Sequence, residues 1–94
     1  MNIHEFKEKV GTSFVIVDFF ATWCGPCKML SQVIDTITDY KVIKVDVDQN
    51  EELARLNNIN VVPTIQLYKN GNMLAQKSGY MSYEELIKFI ERYK

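Results

Sequence analysis

The segment Ser13–Ala21 reads Ser-Phe-Val-Ile-Val-Asp-Phe-Phe-Ala, and it constrains the fold more than any other stretch. A continuous β-branched and aromatic run favours a strand, and one without the alternation of a half-exposed strand must be covered on both faces. The rest of the chain must therefore supply helices for both sides of a sheet. A chain of 94 residues can bury one core and not two, so residues 1–94 are expected to form a single domain.

The remaining signals fit that demand. Asn2 and Glu5 have the spacing of a capping box, which predicts a helix from about Ile3 to Val10 that stops at Gly11. Thr22 to Pro26 is a turn feeding a second helix, with Met29, Leu30, Val33, Ile34 and Ile37 at helical spacing and an end near Tyr40. Lys41–Asp48 alternates, with Ile43, Val45 and Val47 opposite Val42, Lys44 and Asp46. Asp48 and Glu51 can cap a third helix through about Leu56, closed by Asn57 and Asn58. Val61–Lys69 is a further strand, and Asn70-Gly71 predicts a tight hairpin turn that returns Met73–Ser78 antiparallel. Ser82 and Glu85 open a last helix with Leu86, Ile87, Ile90 and Tyr93 on one stripe. The order αβαβαββα gives a three-layer α/β domain, with parallel crossovers where strands alternate with helices and an antiparallel edge from the hairpin.

Charge and hydropathy narrow the function. The net charge is −1 with both signs interspersed, which leaves no basic patch and argues against nucleic acid and anionic membrane as partners. The longest apolar run, Phe14 to Ala21, is too short to cross a bilayer. The first residues lack the apolar stretch of a secretory signal, so a cytoplasmic location is expected. In a reducing compartment, two close cysteines point to catalysis or metal binding rather than to a disulfide scaffold.

Those cysteines lie in Trp23-Cys24-Gly25-Pro26-Cys27-Lys28, at a strand-to-helix junction. Spaced by three on a helix, Cys24 and Cys27 share a face. Cys24 falls at the helix N-terminus, where free N–H groups and the helix dipole favour a thiolate, the nucleophilic form. Cys27 sits one turn inside, placed to attack a disulfide formed on Cys24. Pro26 suits the first turn, where its missing N–H has no intrahelical partner anyway. A structural disulfide closing so small a ring would constrain little of the unfolded chain. A zinc site needs about four ligands, and His4, on the exposed side of a short helix, is the only histidine available.

Three further residues stand out. Asp18 interrupts the apolar strand, where burial raises a carboxyl pKa and makes it a candidate proton acceptor for Cys27. Lys44, at a comparable point on the neighbouring parallel strand, is its candidate partner. The alternatives are a strand-end aspartate reaching solvent and a plain surface lysine. Pro63 interrupts a strand pattern, which is tolerated at an edge or a strand start, and local physics alone favours a trans bond before it.

The segment Val17-Asp18-Phe19-Phe20-Ala21-Thr22-Trp23-Cys24-Gly25-Pro26-Cys27-Lys28 resembles the active-site segment of the thioredoxin family. Val62-Pro63-Thr64, Lys69-Asn70-Gly71 and Gly79 recur at the distances that family shows, so the likeness spans nearly the whole chain. It implies the thioredoxin fold, a central mixed sheet of about four strands flanked by helices. It implies a thiol–disulfide oxidoreductase that reduces protein disulfides, with Cys24 attacking and Cys27 resolving, and with Asp18 and Lys44 tuning proton transfer. Pro63 would be cis and lie against the pair. Trp23, Gly25, Pro26, Val62, Pro63 and Gly79 would form the surface that docks substrate segments. The electron donor would be a thioredoxin reductase drawing on NADPH, and the chain, a monomer, would hold no cofactor itself.

Three departures from the family pattern carry expectations. The first strand common in the family is missing, since only Met1 and Asn2 precede the first helix. Phe20 stands where many members have a second tryptophan. Gln32 stands where many have a helix-kinking proline, so the second helix should run straighter. The rival activities are an oxidase or isomerase on the same fold, or a binding module that uses the flat surface without thiol chemistry. Gly25-Pro26 between the cysteines resembles the reducing members.

Overall fold

The computed structural model describes residues 1–94. Its elements are α1 (Ile3–Val10), β1 (Phe14–Phe20), α2 (Gly25–Ile34), β2 (Lys41–Asp46), α3 (Glu51–Leu56), β3 (Thr64–Lys69), β4 (Asn72–Ser78) and α4 (Tyr83–Tyr93). The strands make one mixed sheet in the order β2-β1-β3-β4. The run that demanded cover on both faces is an inner strand, with Val15 to Phe19 all buried.

Alternation along β1 divides the interior in two. Val15, Val17 and Phe19 pack with Phe6 and Val10 of α1, Leu53 of α3 and Tyr68 of β3 on one side. Ile16 packs with Leu30 and Ile34 of α2, Ile65 and Leu67 of β3, and Leu86 and Ile90 of α4 on the other. Asp18, two residues on from Ile16, faces this second side. The hairpin forms as expected, with Asn70 at φ 50° and Gly71 at φ 85°, the left-handed pair that a two-residue turn of this kind requires. Its backbone amides donate to Ser13 O at 2.9 Å and Val10 O at 3.0 Å, which ties the turn to the α1–β1 junction. The Ser82–Glu85 capping box opens α4.

The parallel crossover expected between β2 and β3 does not form. β1 and β2 are parallel, but β3 runs antiparallel to β1. Helix α3 has 6 residues and so advances about 9 Å, less than half of the roughly 20 Å spanned by a strand of that length. It cannot carry the chain back along the sheet. The chain re-enters at the carboxyl end of β1, where Phe19 pairs with Thr64, and this brings Val61–Pro63 to the point from which the cysteine segment departs.

Two helix boundaries also differ. Helix α2 ends at Ile34 rather than near Tyr40. The Thr36 hydroxyl donates to Val33 O at 2.7 Å, and the weak helix formers that follow (Asp35, Thr36, Thr38 and Asp39) favour such local turns. Helix α3 is preceded by Asn50, not by Asp48, whose side chain is engaged elsewhere.

Candidate functional site

Strand β1 delivers the chain through Ala21 and Thr22 to Cys24, the N-cap of α2. Cys24 Sγ accepts from the Cys27 backbone N–H at 3.2 Å, so the sulfur takes the place that a serine or aspartate oxygen usually fills at a helix start. An amide donor and the positive end of the helix are thus aimed at this sulfur. Cys24 and Cys27 are joined as a disulfide. Pro26 lies in the first turn, where no N–H is needed.

Shielding distinguishes the two cysteines less than their position does. Cys24 is 6% exposed and Cys27 2%. The surroundings differ more. Cys24 Sγ lies 3.8 Å from Val62 O. Cys27 borders a shallow cavity of about 240 Å³, lined also by Phe20, Ala21, Thr22, Lys28 and Ser31.

The Val62–Pro63 peptide bond is cis, as the resemblance implies and local physics alone does not. Neither the amide nor the carbonyl of Val62 makes a backbone hydrogen bond. Pro63 O accepts from Gly79 N–H at 2.8 Å, which fastens the loop after β4 beside the cysteines. Gly79 holds φ at 96°, and no atom lies within 4 Å of where a Cβ would stand. The constraint there is conformational rather than steric, so Gly79→Ala is expected to cost about 1–2 kcal/mol, read as a lowered urea midpoint, with the redox pair intact.

Around the disulfide, Trp23, Gly25 and Pro26 are exposed, Val62 and Gly79 are half-buried, and Pro63 is buried. Of the six residues expected to form a docking surface, Pro63 is thus the least exposed. Val61 and Tyr80, next in sequence to Val62 and Gly79, are exposed apolar residues that sequence reading passed over. Trp23 is 70% exposed yet pinned, its indole Nε1–H donating to Asp48 Oδ2 at 2.8 Å. Asp48 reads in sequence as a helix cap, and nothing in its spacing signals this contact.

Asp18 is 1% exposed, which removes the alternative of a strand-end carboxylate in solvent. Thr64 and Gln66, the other buried polar residues, both have hydrogen-bond partners, whereas neither carboxylate oxygen of Asp18 has one. Burial pushes its pKa up to about 6, with the Lys44 charge pulling it back and the Asp35 charge adding to the rise.

Lys44 is in register with Asp18 across the β1–β2 ladder, but the two do not pair. The Lys44 ammonium donates instead to Asp35 Oδ1 at 2.7 Å and Ser31 Oγ at 2.9 Å. Those acceptors border solvent, where a cation keeps most of its hydration, whereas reaching Asp18 would strip it. Asp35 and Ser31 were legible only as positions one and two turns beyond Cys27 on the same helix.

Comparison with known proteins agrees with the geometry. The sequence profile of the thioredoxin family matches residues 1–92. The chain is 40% identical to a thioredoxin of Rickettsia felis, over 93% of this chain and 90% of that protein. It is 32% identical to a thioredoxin of Chlamydia trachomatis, over 95% of this chain and 91% of that one. Among solved structures, a mutant thioredoxin from Halobacterium salinarum superposes with a TM-score of 0.90 at 35% identity, covering 99% of this chain and 86% of that chain. No helix is long and apolar enough to cross a membrane. Alike in sequence and in fold over nearly its whole length, the chain belongs to the thioredoxin family of disulfide oxidoreductases, with Cys24 and Cys27 as its redox-active pair.

Proposed function

We propose that the chain reduces disulfides in protein substrates through a mixed disulfide on Cys24 and is returned to the dithiol by a thioredoxin reductase. The observation that carries this reading is Cys24 Sγ capping α2, where the Cys27 N–H donates to it. A thiolate at that position is stabilised, thioredoxins being themselves a standard case of such chemistry.

In the dithiol form the Cys24 thiolate attacks one sulfur of a substrate disulfide. A Cys24–substrate disulfide forms, and the other substrate sulfur leaves as a thiolate. The Cys27 thiol then gives its proton to Asp18, attacks Cys24 Sγ and releases the second substrate thiolate. Two electrons pass to the substrate, and the Cys24–Cys27 disulfide remains. With a pKa of about 6, Asp18 is mostly ionised at neutral pH and able to accept that proton. Lys44 acts on this step through its charge rather than by contact.

Trp23, Gly25, Pro26 and Val62, with Gly79 behind them, supply a weakly apolar platform for an extended substrate segment. Pro63 contributes by holding Gly79 in place. The amide and carbonyl of Val62, which make no backbone hydrogen bond, suit strand-like pairing with such a segment.

Insulin-disulfide reduction with NADPH and a thioredoxin reductase tests the reading. Turnover that needs both the chain and the reductase is expected. An absence of turnover, with a reduction potential no lower than that of glutathione, would favour an oxidase on the same fold.

A further inference from the structure

Lys44 and Asp18 are Cα partners on adjacent parallel strands and face the same side of the sheet. Register alone would bring the ammonium to the buried carboxylate. The structure shows another arrangement. Lys44 Nζ is held by Asp35 Oδ1 at 2.7 Å and by Ser31 Oγ at 2.9 Å, while both Asp18 oxygens stay without a partner. Cys27 and Ser31 of α2 and its C-cap residue Asp35, still in helical conformation, follow one another at four-residue steps, and such residues share a face. Ser31 also lines the cavity that reaches Cys27. The helix that carries the resolving cysteine thus carries both groups that turn the lysine away from the aspartate.

We infer that Asp35, assisted by Ser31, is a positioning residue that holds the Lys44 ammonium at the outer edge of α2 and withholds it from Asp18. The consequence is chemical. A cation against a carboxylate favours its ionised form and opposes uptake of a proton. Kept at a distance, Lys44 tempers the effect of burial without cancelling it, and Asp18 can take up and release a proton near neutral pH. The balance is easily shifted. The Lys44 and Asp35 side chains are 36% and 65% exposed, and an exposed pair of this kind is weak. The charged groups that act on Asp18 are Lys44 of β2 and Asp35 at the end of α2. Its β3 neighbour is Ile65, and α4 presents Leu86 and Ile90 on that side, so no further charge enters.

The functional meaning of this arrangement rests on Asp18 accepting the Cys27 proton, and the test separates the two claims. The Asp18 carboxyl is titrated by carbon NMR in the natural protein and in the D35N, D35E, K44M and D35N/K44M variants, with disulfide-reduction rates measured against pH for each. D35N is expected to lower the Asp18 midpoint from about 6 by about one pH unit, as the freed ammonium moves toward it. K44M should raise the midpoint, D35E should leave it near its natural value, and D35N should lower it clearly less in the K44M background, where only Asp35's own charge is lost. If D35N leaves the midpoint unchanged, or lowers it equally with and without Lys44, the inference is wrong. In the second case Asp35 would act on Asp18 only through its own charge. If the midpoint moves as expected while the pH dependence of reduction stays fixed, the positioning of Lys44 stands and the proton-acceptor role of Asp18 falls.

Discussion

Cys27→Ser is expected to stop turnover and leave the substrate covalently attached to Cys24, whereas Cys24→Ser stops turnover with nothing trapped. The two cysteines are nearly equally buried, at 6% and 2% exposure, so residue burial does not decide which one attacks. The N-cap position does. Cys24 Sγ receives the Cys27 N–H at 3.2 Å and stands at the positive end of α2. A negative charge on Cys24 is therefore stabilised by dipoles already in place. Cys27 lies inside the first turn, where its own N–H serves the other sulfur. Attack is therefore expected to begin at Cys24 and release to come from Cys27. Serine at Cys27 keeps the size and the helix but cannot displace the mixed disulfide, so adducts accumulate as higher-mass bands that vanish with reductant. Intact-mass spectrometry after incubation with an oxidised protein substrate reads this directly. Trapping by Cys24→Ser instead would reverse the roles, and equal trapping by both would remove the helix-end argument.

How far the sequence discloses the molecule depends on whether a feature is local. The inner strand, the Cys24 helix start, the Asn70-Gly71 turn and the Ser82–Glu85 capping box are each written in a few adjacent residues, and each forms where its residues predict. The direction of β3 is not local. It follows from how far α3 can carry the chain, and a pattern of alternating strands and helices does not distinguish a short connecting helix from a full crossover. The early end of α2 is the same kind of failure, because apolar spacing continues to Ile37 after the backbone has been drawn into the turns around Thr36.

The site divides in a similar way. Cys24, Cys27 and the burial of Asp18 could be argued from spacing and from one charged residue in an apolar strand. The cis bond before Pro63 came only with the family resemblance, since proline chemistry by itself favours trans. The partners were beyond reach. Register correctly brings Lys44 beside Asp18, but side-chain choice is settled by hydration. The ammonium stays with Asp35 and Ser31 at the rim, and Trp23 finds Asp48 across 25 residues of sequence. Contacts of that kind depend on where a third element stands, which no periodicity reports.

Asp18→Ala is expected to make the protein more stable at neutral pH while slowing disulfide reduction by about tenfold or more. In the unfolded chain the carboxyl titrates near 3.8, and in the fold burial pushes it up to about 6. Well below its unfolded pKa of 3.8 it is protonated in both states and contributes nothing to the difference between them. Between about pH 4 and 6 the folded protein holds the proton more tightly than the unfolded chain, so each step up in pH removes stability. Above about pH 6 the loss is complete, and the distance between the two values corresponds to roughly 3 kcal/mol. Alanine removes that dependence at the cost of a small cavity, which leaves a net gain of about 1–3 kcal/mol near pH 7. Urea unfolding of the oxidised protein from pH 4 to pH 8 measures both curves. The natural protein should weaken as pH rises through this window, and the variant should stay nearly flat. Reduction is expected to slow because, in the proposed mechanism, Cys27 then has no buried base to take its proton when it attacks the mixed disulfide. A natural protein whose stability stays level from pH 4 to 7, or an Asp18 carboxyl that titrates as an ordinary aspartate, would show that burial does not govern this group. The proton acceptor for Cys27 would then have to be sought elsewhere.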